Sequence, residues 1–249
     1  MKYNVIHYEE IDSTNTEARR LALSEAESGL VIVADRQSAG KGRRGRSWES
    51  PAGENLYFSV LLRPQLIPEK APMLTLIMAY SVAKVLCDEE VPIQIKWPND
   101  LVLAKRKICG ILTEMHLQGC EIEDVIVGVG ININTTKFPE ELQDKATSIY
   151  LETGRSLVRD SLLQKILVEF QKQYEVFLEV QDLSFIKELY NQMLINRNQE
   201  VVVLEPGNEF SAIALGINET GELLVRREND NVETVFAGEV SVRGLYGYV

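Results

Sequence analysis

Gln37-Ser-Ala-Gly-Lys-Gly-Arg-Arg-Gly-Arg-Ser-Trp48 sets three glycines, four cations and one indole between two apolar runs. Glycine permits positive φ and close backbone approach, so the N–H groups around Gly40, Gly42 and Gly45 can converge on an anion. Lys41, Arg43, Arg44 and Arg46 add charge, and the arginines add forked donors. This is not a Walker A loop, because the Gly-Lys-Ser/Thr ending is missing and no strand-to-helix setting gives a Gly-x-Gly-x-x-Gly pattern its meaning. Read alone, the segment is a phosphate grip or a solvated arginine-glycine surface loop in equal measure.

The rest of the composition narrows the class. With 249 residues and 45% apolar content, the chain can bury a full core and fits one large domain, or one large and one small. A formal net charge of −11 argues against a general nucleic-acid binder, which makes the basic loop a local exception. No run approaches a membrane span, and the first residues carry neither the apolar stretch nor the cleavage site of a signal peptide, so a cytoplasmic location is expected. Cys87, Cys109 and Cys120 are too far apart for a CxxC pair, and the two histidines are His7 and His116, so no zinc-ligand spacing is available. The cysteines are expected to be reduced and mostly buried.

Periodicity gives the organisation. Thr14-Asn-Thr-Glu17 has the spacing of a capping box, with Ala18, Leu21 and Ala22 on one face behind it, so a helix should start at Thr14. Strands are expected at Leu30–Ala34 and Leu56–Leu62, flanking the glycine-rich loop. Pro72 opens a helix with Leu74, Ile77, Met78, Val82, Val85 and Leu86 as apolar positions. Ile93–Trp97 and Leu101–Leu103 read as short strands about a Pro98-Asn99-Asp100 turn. Ala104-Lys-Arg-Lys107 reads as a hairpin tip leading to long strands at Ile108–Met115 and Ile122–Val129, joined around Gln118-Gly119. Weak alternation in these strands predicts a sheet covered by helices on one side. After a looser segment through Pro139 and Gly154, helices are expected at Asp160–Val180 and Leu183–Leu194. From about Asn196 the pattern turns to short strands, Glu200–Leu204, Ser211–Ile217, Glu222–Arg226, Glu233–Phe236 and Glu239–Arg243, punctuated by Pro206-Gly207 and Thr220-Gly221. That spacing suggests a small β-barrel.

The loop has four companions in fixed order: Asp12-Ser-Thr-Asn15 before it, then Lys96-Trp-Pro-Asn-Asp-Leu101, Lys107-Ile-Cys-Gly-Ile-Leu-Thr-Glu114 and Gly128-Val-Gly-Ile-Asn-Ile-Asn134. Together they resemble the biotin protein ligases, through nearly the whole chain. The resemblance implies an α+β fold: a class II synthetase-like catalytic domain with a mixed β-sheet and helices over 1–195, and an SH3-like barrel over 196–249. It implies ATP and biotin as ligands, Mg²⁺ arriving with ATP, no dedicated metal ligands from the chain, and a biotin carboxyl carrier protein of acetyl-CoA or a related carboxylase as acceptor. Bifunctional relatives carry an N-terminal helix-turn-helix domain, for which there is no room before Ile11, so no specific DNA binding is expected, nor a membrane. Either a monomer or a homodimer is compatible.

The resemblance also distributes roles. Lys107 is the expected catalytic cation, touching both the biotin carboxylate and the α-phosphate; otherwise it is one member of an exposed hairpin tip. Arg43 should help the loop fold over the intermediate, with Arg46 and then Arg44 as phosphate partners. Lys41 stands where relatives usually carry arginine, which keeps the charge and loses the planar fork. Ser13, Thr14, Asn15 and Gln37 resemble the recognition groups for the ureido ring, whose two N–H donors and one carbonyl suit hydroxyl and amide side chains. Gly110 and Ile111 would pass close to the bicycle. Asn99 and Asn132 fall on the nucleotide side, and Asp100 on the metal or nucleotide side. Trp48 and Trp97 are each readable as core aromatics, Trp97 more so. The rivals are a lipoate or octanoate ligase or transferase, and a sensor that binds biotin without turnover.

Overall fold

In the computed structural model, which describes residues 1–205, 208–236 and 241–244, the two strands flanking the basic loop are antiparallel neighbours. They are β2 (Leu30–Gln37) and β3 (Leu56–Leu62), within a seven-stranded mixed sheet. Its other strands are β1 (Asn4–Ile11), β4 (Gln94–Lys96), β5 (Asp100–Leu103), β6 (Arg106–Gln118) and β7 (Glu121–Ile131), in the order β1-β2-β3-β7-β6-β5-β4. Only β1 and β2 run parallel, and helix α1 (Thr14–Ala22) makes their crossover.

Successive strand residues point to opposite faces. Val31, Val33, Phe58, Val60, Val125 and Val127 therefore share one core with α2 (Met73–Asp88) and α4 (Arg159–Val180). Leu30, Ile32, Leu61 and Ile126 point the other way, onto Ala18 and Ala22 of α1. Helices thus cover both faces where one was expected, and a doubly buried strand loses its alternation. Pro68–Asp88 is long and apolar enough to cross a membrane, contrary to the sequence reading, but 72% of its apolar window is buried inside the protein. It is the core helix.

Helix α1 starts at Thr14 as expected, without the capping box. Ser13 is the N-cap with no side-chain cap bond, while the Thr14 hydroxyl and Glu17 carboxylate have other partners, Gln37 and Tyr8 respectively. At the other end, Arg63 donates to Ala22 O at 2.8 Å, Ala26 O at 3.1 Å and Glu123 O at 3.0 Å. One guanidinium so satisfies carbonyls left over by the helix terminus and ties them to β7.

Between β7 and α4 the chain is better ordered than predicted. Residues 145–147 run beside Lys107 as a short parallel bridge, and α3 (Ile149–Thr153) follows, with the Ser148 hydroxyl accepting from Leu151 N and Gly154 in the left-handed region at φ 69°. Helix α5 (Lys187–Met193) is shorter than expected. Among the described residues, β8 (Glu200–Glu205), β9 (Asn208–Ile217), β10 (Leu223–Arg226), β11 (Val232–Val235) and β12 (Ser241–Gly244) form an antiparallel sheet, β11-β10-β9-β8-β12, with no pairing that closes it into a barrel. The predicted Pro206-Gly207 turn and residues 237–240 lie outside the described residues. Val201, Val203, Ala214, Leu223 and Val225 of this sheet belong to the same apolar cluster as α2 and α4.

Cys109 is buried on the core face, and burial pushes its thiol pKa well up. Cys87 and Cys120 are exposed, against expectation, because they fall at the end of α2 and in the β6–β7 turn.

Replacing Arg63 with methionine removes three donors and keeps most of the apolar stem. The expected cost is about 2–4 kcal/mol, from three lost charge-assisted hydrogen bonds, with Ala22 O keeping Glu25 N at 3.2 Å. It should appear as a lower urea midpoint at unchanged slope.

Candidate active site

The site begins as an absence of side chains. Gly110 pairs with Gly130, and Gly130 with Tyr57; two residues along, Leu112 pairs with Gly128, and Gly128 with Ser59. Opposed residues share a face, so these three glycines lie on the α1 side of the sheet, beside the start of α1. The bare strip is used closely. A Cβ on Gly128 would sit 2.0 Å from Asn15 Oδ1, and one on Gly130 2.5 Å from Trp48 Nε1.

Deep in the strip stand the polar residues of the α1 N-terminus. Thr14 donates to Gln37 Oε1 through its backbone N–H at 2.9 Å and its hydroxyl at 3.2 Å. Asn15 Nδ2 donates to Glu114 Oε2 at 2.7 Å, and its Oδ1 accepts from Ser59 Oγ. Ser13, Thr14, Asn15 and Ser59 are all buried. Asp12 is turned away onto Arg20, whose guanidinium holds the Asp12 carboxyl below its usual range.

A bulge supplies the cation. Asp100 opposes Gly110 and Leu101 opposes Cys109, but Val102 opposes Lys107, so Ile108 is the extra residue. Without that shift Lys107 would point to the core with Cys109. With it, the ammonium emerges on the glycine face, 3.1 Å from where a Gly110 Cβ would stand. The hairpin tip is only Ala104-Lys105, both at positive φ, so Lys107 belongs to the strand rather than to an exposed tip. Its backbone is pinned from both sides: Lys107 N donates to Lys145 O at 2.8 Å and Lys107 O accepts from Thr147 N at 2.9 Å. The side chain forms an ion pair with Asp100 at 2.6 Å and lies 5.2 Å from the Trp48 ring centroid.

The basic loop arches over this floor. Arg43 Nη1 donates to Asn99 Oδ1 at 2.9 Å, and Asn99 Nδ2 donates to Ile111 O at 3.0 Å. Burial lowers the Arg43 pKa, and the Asp100 charge opposes that shift, so the arginine stays cationic in a partly desolvated place. Two compartments result, sharing Gly42, Arg43, Trp48, Asn99 and Lys107. The inner one, ending at Thr14, Asn15 and Gln37, measures about 40 Å³ because the indole of Trp48 lies across the floor. That is room for a few waters, so any bicyclic ligand must lift the indole. The outer one, about 430 Å³, is lined by Arg44, Arg46, Lys96, Asp100 and Asn132, with Phe138, Glu141 and Lys145 on its far wall. Among the described residues no group of three or more His, Cys, Asp or Glu is placed to hold a metal ion.

An inner polar pocket, an outer cationic one and a lysine at their junction suit a carboxylic acid that meets a phosphate. Residues 8–132 match the biotin/lipoate A/B protein ligase family, and residues 198–243 match the biotin protein ligase C terminal domain. The chain is 34% identical to the bifunctional ligase/repressor BirA of Bacillus subtilis, over 97% of this chain and 75% of that protein. It is 31% identical to the biotin--[acetyl-CoA-carboxylase] ligase of Paracoccus denitrificans, over 86% of this chain and 91% of that protein. Its structure aligns with the biotin protein ligase from Aquifex aeolicus in complex with biotin and ATP at a TM-score of 0.83 and 33% identity, over 97% of this chain and 99% of that one. The chain belongs to the biotin protein ligases.

In this ligase the inner compartment gathers Ser13, Thr14, Asn15, Gln37, Lys41, Gly110 and Ile111, and the outer one Arg44, Arg46, Asp100 and Asn132. Gly40 and Gly45 line neither: Gly40 lies under the Trp48 carbonyl, and Gly45 is exposed at φ 70°. Asn132 gives its side-chain amide to Thr147 O at 3.2 Å. Trp97 is buried, as read, donating to Gly221 O at 2.9 Å; Trp48 is only half-buried and belongs to the loop. Sequence reasoning missed Ser59 and the 138–146 wall, and gave no role to Lys96 and Glu114 at the ends of their motifs. It quoted Gly128 and Gly130 without using their spacing of two, which places both on one strand face.

Gly128→Ala should lower biotin affinity at least about tenfold in calorimetry, because the new methyl displaces Asn15 and overpacking costs about 1–3 kcal/mol.

Proposed function

We propose that this ligase joins biotin to ATP, giving biotinyl-5′-adenylate and pyrophosphate, and then passes the biotinyl group to one lysine of a biotin carboxyl carrier domain. In the first step a biotin carboxylate oxygen bonds to the α-phosphorus as the bond to the β-phosphate oxygen breaks. In the second the lysine amine bonds to the acyl carbon, AMP departs and the amine loses a proton. The observation that carries this reading is the position of Lys107, at the junction of the two compartments beside Arg43.

There the ammonium can face the carboxylate on one side and the α-phosphate on the other, offsetting their repulsion as they approach. Asp100 holds the Lys107 ammonium aimed until the substrates arrive. Ser13, Thr14, Asn15 and Gln37 receive the ureido ring, and Gly110 and Ile111 border the bicycle. Arg46 and Arg44 take phosphate oxygens. Lys41 contributes charge without a fork. Asn99 holds Arg43, and Asn132 holds the segment that carries Lys145 to the Lys107 backbone. Arg43 and Trp48 then close the site, keeping water from a hydrolysable anhydride. Mg²⁺ would enter with ATP and neutralise phosphate charge; Glu49, Asp100 and Glu141 are carboxylates of the outer compartment, and few protein ligands are required. The working location is the cytoplasm, as monomer or homodimer.

Biotin-dependent exchange of labelled pyrophosphate into ATP tests the reading, with lipoate and octanoate run in parallel. Exchange with biotin alone is expected; exchange with another acid moves the chain to the sister activity, and none with any acid leaves a sensor. Lys107→Ala should slow exchange by about 10²–10³, the usual loss for one charge-stabilising donor. Arg43→Gly should still form adenylate but release it, seen as biotinylation of bystander lysines.

A further inference from the structure

Ser50 lies outside every role assigned above, yet it is 7% exposed and has two polar partners. Gln37 Nε2 donates to Ser50 Oγ at 2.9 Å, and Ser50 Oγ donates to the backbone carbonyl of Trp48 at 3.1 Å. Gln37 is in turn held by Thr14, whose hydroxyl accepts from Ser59 at 2.8 Å; the single Ser59 proton is shared with Asn15 Oδ1, and Asn15 donates to Glu114. An unbroken hydrogen-bonded chain thus runs from strand β6, through the wall of the inner compartment, to the backbone of the closing loop. Its polarity is fixed at one end. A carboxylate only accepts, so Glu114 orients the Asn15 amide with Nδ2 outward and Oδ1 toward Ser59.

Gly40 completes the arrangement. A Cβ there would stand 2.5 Å from Trp48 O, 2.8 Å from Ser50 Oγ and 3.2 Å from Gln37 Nε2, so only glycine leaves room for the three groups to meet. This explains a loop glycine that touches neither compartment. Meanwhile the Trp48 indole lies on the floor with its Nε1 buried and unpartnered. A ligand on the floor must displace that ring, and the same ligand engages Thr14 and Gln37.

We propose that Ser50 is a positioning residue that couples occupation of the inner compartment to the placement of Trp48, and through it to closure of the loop. Gln37, when fixed by the ligand, fixes Ser50; Ser50 then sets the Trp48 carbonyl, so the loop re-forms over the ligand after the indole lifts. The inference rests on biotin as the ligand of the inner compartment.

Tryptic cleavage within Arg43–Arg46 reports loop closure, and calorimetry reports biotin binding separately. Saturating biotin should protect the wild-type loop. Ser50→Ala should still bind biotin but lose about two- to tenfold of that protection, the share of one hydrogen bond. Ser50→Thr, which keeps the hydroxyl, should restore it. Glu114→Ala, at the far end of the chain and away from the loop, should also weaken protection at saturating biotin, which covers the case of a Ser50→Ala protein that does not fold. Protection equal to wild type in Ser50→Ala or in Glu114→Ala overturns the coupling. No heat from biotin with the wild-type protein overturns the ligand assignment itself, and the coupling with it.

Discussion

The active surface depends on a strip of sheet from which side chains have been removed. Gly110, Gly128 and Gly130 face the same way on paired strands, and each gap is filled by a different functional group. Asn15 lies on Gly128, Trp48 on Gly130, and the Lys107 stem passes Gly110. A small methyl group at any of these positions would push a recognition residue, the loop or the cation out of place. The opposite face of the same strands is ordinary core, packed by α2 and α4. The sheet therefore separates two jobs by parity, with stability on one side and chemistry on the other.

Charge is arranged as economically as space. The protein is acidic as a whole, but Lys41, Arg43, Arg44, Arg46, Lys96 and Lys107 converge on the two compartments. Such convergence would be self-repelling without ligand. Asp100 relieves part of it by pairing with Lys107 and facing Arg43. On the assignment proposed above, a triphosphate entering the outer compartment would meet cations already oriented, with most of the reorganisation cost met in folding.

Much of this was legible in the residues. β3 was bounded to the residue because apolar runs between turn formers leave little freedom, and α2 was announced by Pro72. The expected site residues fell together because their motifs sit on adjoining strands and loops. What escaped was set by non-local contacts. The one-residue bulge at Ile108 has no local signal, yet it decides which way Lys107 points. The Thr14 capping box gave way to Gln37 and Ser59, residues 23 and 45 positions away that no window of sequence would pair with it. The 145–147 bridge lacks strand propensity and exists because Lys107 offers it an edge. Ser148 and Gly154, a helix cap and its terminator, were readable and pass for loop residues only when taken singly.

Trp97 joins the two sheets through one hydrogen bond to Gly221, two residues before Asn99 and three before Asp100. The smaller sheet therefore holds one end of a short lever whose other end lies in the catalytic cleft. The residue that the β9–β10 turn holds therefore stands two residues from the partner of Arg43 and three from the partner of Lys107. A fragment trimmed to the larger sheet would retain nearly every chemically active side chain and lose the abutment that keeps two of them in register. The terminal sheet acts as a gauge block for the cleft, and its own Val242 lines the outer compartment.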